Sequence, residues 1–167
     1  DRVVASEHGS LGGDELNVIT GGENYGWPVV TYGTEYDVFR TEIGEGQSRP
    51  AFVDPLVAWT PTVAPSSVVA YSGAQYNAAG DTFMAAMLLR SSATLAAYAT
   101  RPAGSLIRLL TNEAGDITSQ ELIRLGDVRV RSIAQGPDNY LYALTDTTDR
   151  QSRPGINAGA IVRIESL

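Results

Sequence analysis

From residue 105 onward the sequence is a succession of short stretches in which apolar and polar residues alternate, each closed by turn-forming residues. That pattern commits the second half of the chain to antiparallel sheet. Ser105-Leu106-Ile107-Arg108-Leu109-Leu110 and residues 121–125 are predicted strands across the polar turn Asn112-Glu113-Ala114-Gly115-Asp116. Residues 128–133 and 140–145 form a second pair across Gln135-Gly136-Pro137-Asp138-Asn139, and residues 160–165 make a last strand after a polar loop. The first half is richer in loops, crowded by Gly9, Gly12, Gly13, Gly21, Gly22 and Gly26 and then punctuated by Pro55, Pro61 and Pro65. Residues 88–103, Ala-rich at their centre, stay open between a short helix, a strand and an inserted loop.

Short strands at regular spacing predict an all-β repeat architecture. A propeller blade uses about 40–50 residues, so 167 residues make about three of them, four at most. Closed rings have typically 4–8 blades. The chain also opens at Asp1-Arg2-Val3-Val4 with neither an initiator Met nor a secretory signal. The expectation is a partial propeller, residues 1–167 forming the C-terminal portion of a larger ring.

Composition removes several functions. A formal charge of -7, from 12 basic and 19 acidic residues, opposes binding to nucleic acid or to an anionic membrane. No apolar run approaches the roughly 20 residues of a membrane span. With no Cys, disulfides, thiolate nucleophiles and thiolate metal sites are excluded. Every basic residue is Arg, so an anion site must use the planar guanidinium. His8 is the sole histidine, and no nucleophile-elbow sequence accompanies it.

Three constellations could carry chemistry. Asp14 and Glu15 follow a glycine run, with oxygen donors in Thr31, Glu35 and nearby carbonyls, which is the donor set of a hard cation such as Ca²⁺; the bland reading is a capped turn with Trp27 in the core. Arg129 and Arg131 share one face of a strand if period two holds. They then form either a carboxylate clamp or a solvated face balanced by Asp127 or Glu121. The third is Trp59-Thr60-Pro61-Thr62-Val63-Ala64-Pro65-Ser66-Ser67, a stiff loop presenting hydroxyls. Tyr32, Tyr36, Tyr71 and Tyr76 could wall a site or pack in a sheet.

In order along the chain, Glu7-His8-Gly9, Gly13-Asp14-Glu15-Leu16-Asn17, Asn24-Tyr25-Gly26-Trp27-Pro28, Pro61-Thr62-Val63-Ala64-Pro65-Ser66-Ser67, Arg129-Val130-Arg131 and Gly136-Pro137-Asp138 resemble the glucose/sorbosone dehydrogenase family. These are the soluble aldose sugar dehydrogenases dependent on pyrroloquinoline quinone (PQQ). The resemblance implies a six-bladed β-propeller that holds PQQ with Ca²⁺ and oxidises the anomeric hydroxyl of an aldose to a lactone, passing electrons to an external acceptor. By similarity, Glu15 and Tyr25 bind a structural calcium, with Thr31, Gly33 and Glu35 as further donors. Gly9 and Ser10 face the cofactor's calcium. Arg129 and Arg131 grip the quinone's carboxylates, and Thr62, Tyr36 and Arg90 line its pocket.

The family's general base is a His upstream of the Glu-His-Gly segment, so no catalytic role passes to His8 and this chain by itself is expected to be inactive. Its partners would be the sugar, the acceptor and the remainder of the propeller. The resemblance implies a periplasmic or secreted location. The alternative function is a propeller of the same lineage serving as a carbohydrate-binding or interaction module without redox activity.

Overall fold

The computed structural model describes residues 2–76, 82–87 (backbone only), 105–126, 128–146 and 159–167. Among these, ten strands form three antiparallel sheets and no helix is present. The first sheet runs β1 (Val3–Glu7), β2 (Asp14–Ile19), β3 (Val57–Trp59). The second holds four strands in sequence order, β4 (Pro65–Tyr71), β5 (Thr82–Met87), β6 (Ser105–Thr111) and β7 (Ile117–Arg124). The third is β8 (Arg129–Gln135), β9 (Leu141–Asp146) and β10 (Gly159–Ile164), with β9 in the middle.

The second-half strands lie where alternation predicts them. In the first half, β1 to β4 arise where the glycines and prolines pointed to loops. Asp14 and Glu15 therefore open a strand rather than cap a turn. The 88–103 segment lies outside the described residues.

Packing explains why β6 sits inside its sheet. Leu106, Ile107 and Leu109 have no exposed surface, although period two sends Leu106 to one face and the other two to the opposite one. On one side Leu106 joins Tyr71, Val130, Ile133, Leu141 and Ile164. On the other, Ile107 and Leu109 join Leu16, Trp59 and Val63. The four-stranded sheet is thus the middle layer, sharing one core with each neighbouring sheet. Burying each such side chain is worth about 1.5–3 kcal/mol.

Tyr71 and Tyr76 are struts within this core. The Tyr76 hydroxyl donates to the Ile164 carbonyl at 2.7 Å and accepts from the Leu141 N–H at 2.7 Å. The Tyr71 hydroxyl donates to the Asn139 carbonyl at 2.7 Å.

Strand β8 departs from strict alternation. Val130 pairs with Thr145 and Ser132 with Leu144, so Arg131 is the extra residue of a β-bulge. The two buried side chains of β8 are consequently Val130 and Ile133, three apart.

Two cross-links gather the ends that matter. His8 Nε2 donates to the Pro65 carbonyl at 2.6 Å, tying the end of β1 to the start of β4. The Ser66 hydroxyl donates to the Val130 carbonyl at 3.1 Å, tying that start to β8.

Candidate cofactor and metal site

The loop joining β1 to β2 is closed by glycines that no other residue could replace without displacement. A Cβ on Gly9 would lie 2.0 Å from the Gly12 carbonyl oxygen. Gly13 has a φ of 72°, and its Cβ would lie 2.3 Å from the Gly33 nitrogen. The Gly13 N–H donates to the Trp59 carbonyl (2.9 Å) and the Thr60 hydroxyl (3.0 Å), and that hydroxyl donates in turn to the Tyr32 carbonyl at 3.1 Å. Three loops distant in sequence therefore meet backbone to backbone.

Asp14 is a common acceptor for two of them, the β1–β2 loop and the stretch after Trp59. One carboxylate oxygen takes the Gly9 N–H at 2.9 Å. The other takes the Thr62 hydroxyl and the N–H groups of Val63 and Ala64, each at 2.6 Å. Asp14 is 1% exposed.

Beside this junction lies an open cavity of about 230 Å³ whose lining includes Glu7, His8, Gly9, Glu15, Tyr25, Trp27 and Thr31. Four predicted metal-site residues, Gly9, Glu15, Tyr25 and Thr31, are thus brought to one cavity. Gly33 lies behind it, on a smaller cavity of about 80 Å³ shared with Thr31. Ser10 is reached from the far side, where the exposed Tyr36 donates its hydroxyl to the Ser10 carbonyl at 2.7 Å. That bond joins a predicted cofactor-pocket residue to a predicted metal-site carbonyl. Glu35 sits apart on an exposed hairpin, its N–H bonded to the Thr41 carbonyl at 2.9 Å. Trp27 is 60% exposed and belongs to the cavity rim, so its reading as a core residue is corrected.

The cavity is electronegative. Glu7 and Glu15 stand directly opposite each other across β1 and β2. The Asn17 amide nitrogen donates to one oxygen of each, at 3.1 Å. Partial burial raises the Glu15 carboxyl above its ordinary pKa; the Asn17 hydrogen bond opposes this, and the charges of Glu7 and Asp54 add to the rise. Asn17 is fully buried, and its side-chain carbonyl oxygen has no partner among the described residues. Asp54 was missed in the sequence, and Glu7 and Asn17 stood in its motifs without a role, although Glu15 and Asn17, two apart, signal one face of a strand.

Among the described residues no group of three or more His, Asp or Glu side chains has metal-binding geometry. A cation here would take one or two carboxylates with main-chain and neutral oxygens, a donor set that suits Ca²⁺. The side chains present fit that ion: a half-buried carboxylate raised chiefly by its burial, with like-charged neighbours adding to the rise, is relieved when a cation arrives.

At β8 the two arginines differ. Arg131 is exposed and pairs with Asp146 at 3.3 Å. Among the described residues its counter-ion is Asp146, whereas Glu121 pairs with Arg108 at 3.4 Å; Asp127 lies outside the described residues. Arg129 Nε is buried and makes no hydrogen bond among the described residues. A buried orphan donor on a cation fits an anionic ligand, and the carboxylates of PQQ are of that kind. Arg90 lies outside the described residues.

Residues 1–154 match the family model for glucose/sorbosone dehydrogenase. The chain is 38% identical over 165 residues to the uncharacterized protein slr1608 of Synechocystis. It is 30% identical over 142 residues to the aldose sugar dehydrogenase YliI of Escherichia coli. These matches cover 99% and 84% of the chain and 34% of each relative, so the chain spans about a third of the length of the curated relatives it matches. A solved glucose dehydrogenase superposes with a TM-score of 0.76 at 30% identity, over 98% of this chain and 41% of that one. The apo form of the soluble aldose sugar dehydrogenase of Escherichia coli superposes with a TM-score of 0.74 at 25% identity, over 96% and 40%. The two stretches that Asp14 draws together, at Gly9 and at Thr62 to Ala64, are among the segments on which the sequence resemblance rested, and the chain belongs to the glucose/sorbosone dehydrogenase family.

Proposed function

We propose that this chain supplies the calcium- and carboxylate-holding part of a PQQ-dependent aldose dehydrogenase built on a six-bladed propeller. The observation that carries the reading is the buried Arg129 Nε, unpartnered among the described residues and joined through Val130 and Ser66 to the loop that Asp14 braces. An unsatisfied buried donor costs about 1–3 kcal/mol, and an anionic ligand removes that cost.

Bound PQQ would supply a two-electron acceptor for oxidation of the anomeric hydroxyl of an aldose to a lactone, the hydroxyl proton leaving to a base. The chain's residues hold and orient. Arg129 binds a carboxylate of the quinone, and Arg131 shares it by exchanging part of its contact with Asp146. Thr62 and Tyr36 line the pocket with Arg90. The Gly9 and Ser10 carbonyls face the cofactor's metal, with Tyr36 fixing Ser10. Glu15 and Tyr25 would hold a structural calcium with Thr31 from the same cavity, while Gly33 and Glu35, which do not line that cavity, would be its more remote oxygen donors. His8 is committed to the Pro65 carbonyl through Nε2, so the base comes from another part of the protein. Export to the periplasm or beyond accompanies this reading.

The test is sugar-dependent dye reduction by the full-length product of the reading frame, reconstituted with PQQ and Ca²⁺. Turnover that needs both additions is expected. Aldose binding without turnover under any reconstitution would turn the reading into that of a carbohydrate-binding propeller.

A further inference from the structure

We propose that Asp14 is the positioning residue of this site: one buried carboxylate fixes the Gly9 end of the β1–β2 loop and the Thr62-to-Ala64 stretch in a single arrangement, and so sets the geometry in which metal and quinone are held. The identity of the ligands rests on the function proposed above, and the brace on the hydrogen bonds of Asp14.

A carboxylate at 1% exposure with no ion pair among the described residues is costly to bury unless hydrogen bonds satisfy it. Asp14 receives four, three from main-chain N–H groups and one from Thr62. Capping a turn needs one acceptor, and a neutral Asn or Ser provides it. Two oxygens facing donors from segments more than 50 residues apart are a clamp instead. Ala64 is held at a φ of 47°, a conformation that a non-glycine residue adopts only when its surroundings impose it, and its N–H is one of those Asp14 binds. Two residues on, Ser66 bonds the Val130 carbonyl, between the two arginines. Movement of the Asp14 carboxylate therefore reaches the Gly9 carbonyl loop directly and the arginines through one short stretch of chain.

Asp14→Asn separates the two ends of the clamp. The side-chain oxygen that remains can satisfy the Thr62-to-Ala64 donors only by turning the new amide against the Gly9 N–H. In the full-length protein, PQQ affinity in the presence of Ca²⁺ is measured by spectroscopic titration, alongside melting of the ligand-free and ligand-saturated forms. The expected result is at least a tenfold weaker PQQ dissociation constant and a smaller ligand-induced rise in melting temperature. A variant that melts lower without ligand, yet keeps the wild-type affinity and the wild-type rise, has lost only structure, and the proposal is then wrong. A wild-type protein that binds no PQQ overturns the cofactor reading first and this proposal with it.

Should Asp14→Asn fail to fold, the pair Thr62→Val and Thr62→Ser carries the test by hydrogen exchange at residues 9–13. Faster exchange in Val but not in Ser supports the clamp. Unchanged exchange in both refutes it.

Discussion

At the scale of single residues, the cavity is poised by like charges rather than by a salt bridge. Carboxylates directly opposite across a ladder destabilise a sheet, and such pairs are worth about 0.2–1 kcal/mol. Glu7 and Glu15 occupy that arrangement with one Asn17 amide between them. Glu15 has its folded pKa raised, so between its unfolded and folded values the native state holds more protons than the unfolded one. Its ionisation therefore penalises folding at neutral pH, and the penalty is relieved as pH falls through the raised value. In chelator at pH 7, Glu15→Gln is expected to raise stability by a few tenths of a kcal/mol up to about 1 kcal/mol, and to remove that part of the gain seen on mild acidification. In saturating Ca²⁺ the sign reverses, because the wild type then gains binding free energy, about 2.7 kcal/mol at 100 times the dissociation constant. Thermal melts of both proteins with and without metal check this. An equal loss in chelator and in calcium would sink the metal assignment. Gly13→Ala is a simpler case: its Cβ meets Gly33 backbone at a positive φ, and a loss of about 1–2 kcal/mol or more is expected in urea melts, with or without calcium.

At the scale of elements, β8 shows both what alternation can reveal and where it stops. Period two predicted a pair of like-facing guanidiniums on Arg129 and Arg131, but the bulge at Arg131 shifts the phase, and burial recurs at Val130 and Ile133. One arginine is consequently exposed beside Asp146 and the other has its Nε buried without a partner. The two substitutions should therefore differ. Arg131→Ala removes an exposed pair worth about 0–1 kcal/mol and leaves ligand-free stability nearly unchanged. Arg129→Met removes the orphan donor, so the ligand-free protein is expected to melt at or above the wild-type temperature while PQQ affinity falls sharply. Calorimetric melts with a parallel PQQ titration distinguish these. An Arg129→Met variant that keeps the wild-type PQQ affinity would return Arg129 to an ordinary strand-face residue. A bulge is invisible in sequence because its extra residue carries no distinctive side chain. The strands of β6 to β10 were legible because Ser105-Leu106-Ile107-Arg108-Leu109-Leu110 and its successors are bounded by turn residues. In β2, by contrast, Asp14-Glu15-Leu16-Asn17 reads as a polar loop until Asp14 is seen to face inward onto donors from residues 62–64.

At the scale of the molecule, the site depends on the middle sheet being shared between two cores. The Glu15 cavity belongs to the first sheet, Arg129 and Arg131 belong to the third, and β4 stands between them with Pro65 and Ser66 bonded to each side. The candidate residues could be found in the sequence by resemblance, but their convergence could not, since it depends on contacts such as Ser66 to Val130 across 64 positions. Relative placement then follows from packing on both faces of β6. Leu106 contacts the core shared with β8 to β10, and Ile107 the core shared with β1 to β3. Leu106→Ala and Ile107→Ala should each cost about 2–5 kcal/mol, the usual range for a buried aliphatic truncation. Because one strand backs both cores, each truncation should also weaken PQQ binding, although neither residue lies on the site. Denaturant melts followed separately by Trp fluorescence and by far-ultraviolet circular dichroism decide whether the layers act together. Trp59 reports the first core, so coincident curves in both variants are expected. Loss of the Trp59 signal ahead of the sheet signal in Ile107→Ala, with PQQ affinity retained, would show that the layers hold independently and that the site is placed by its loops alone.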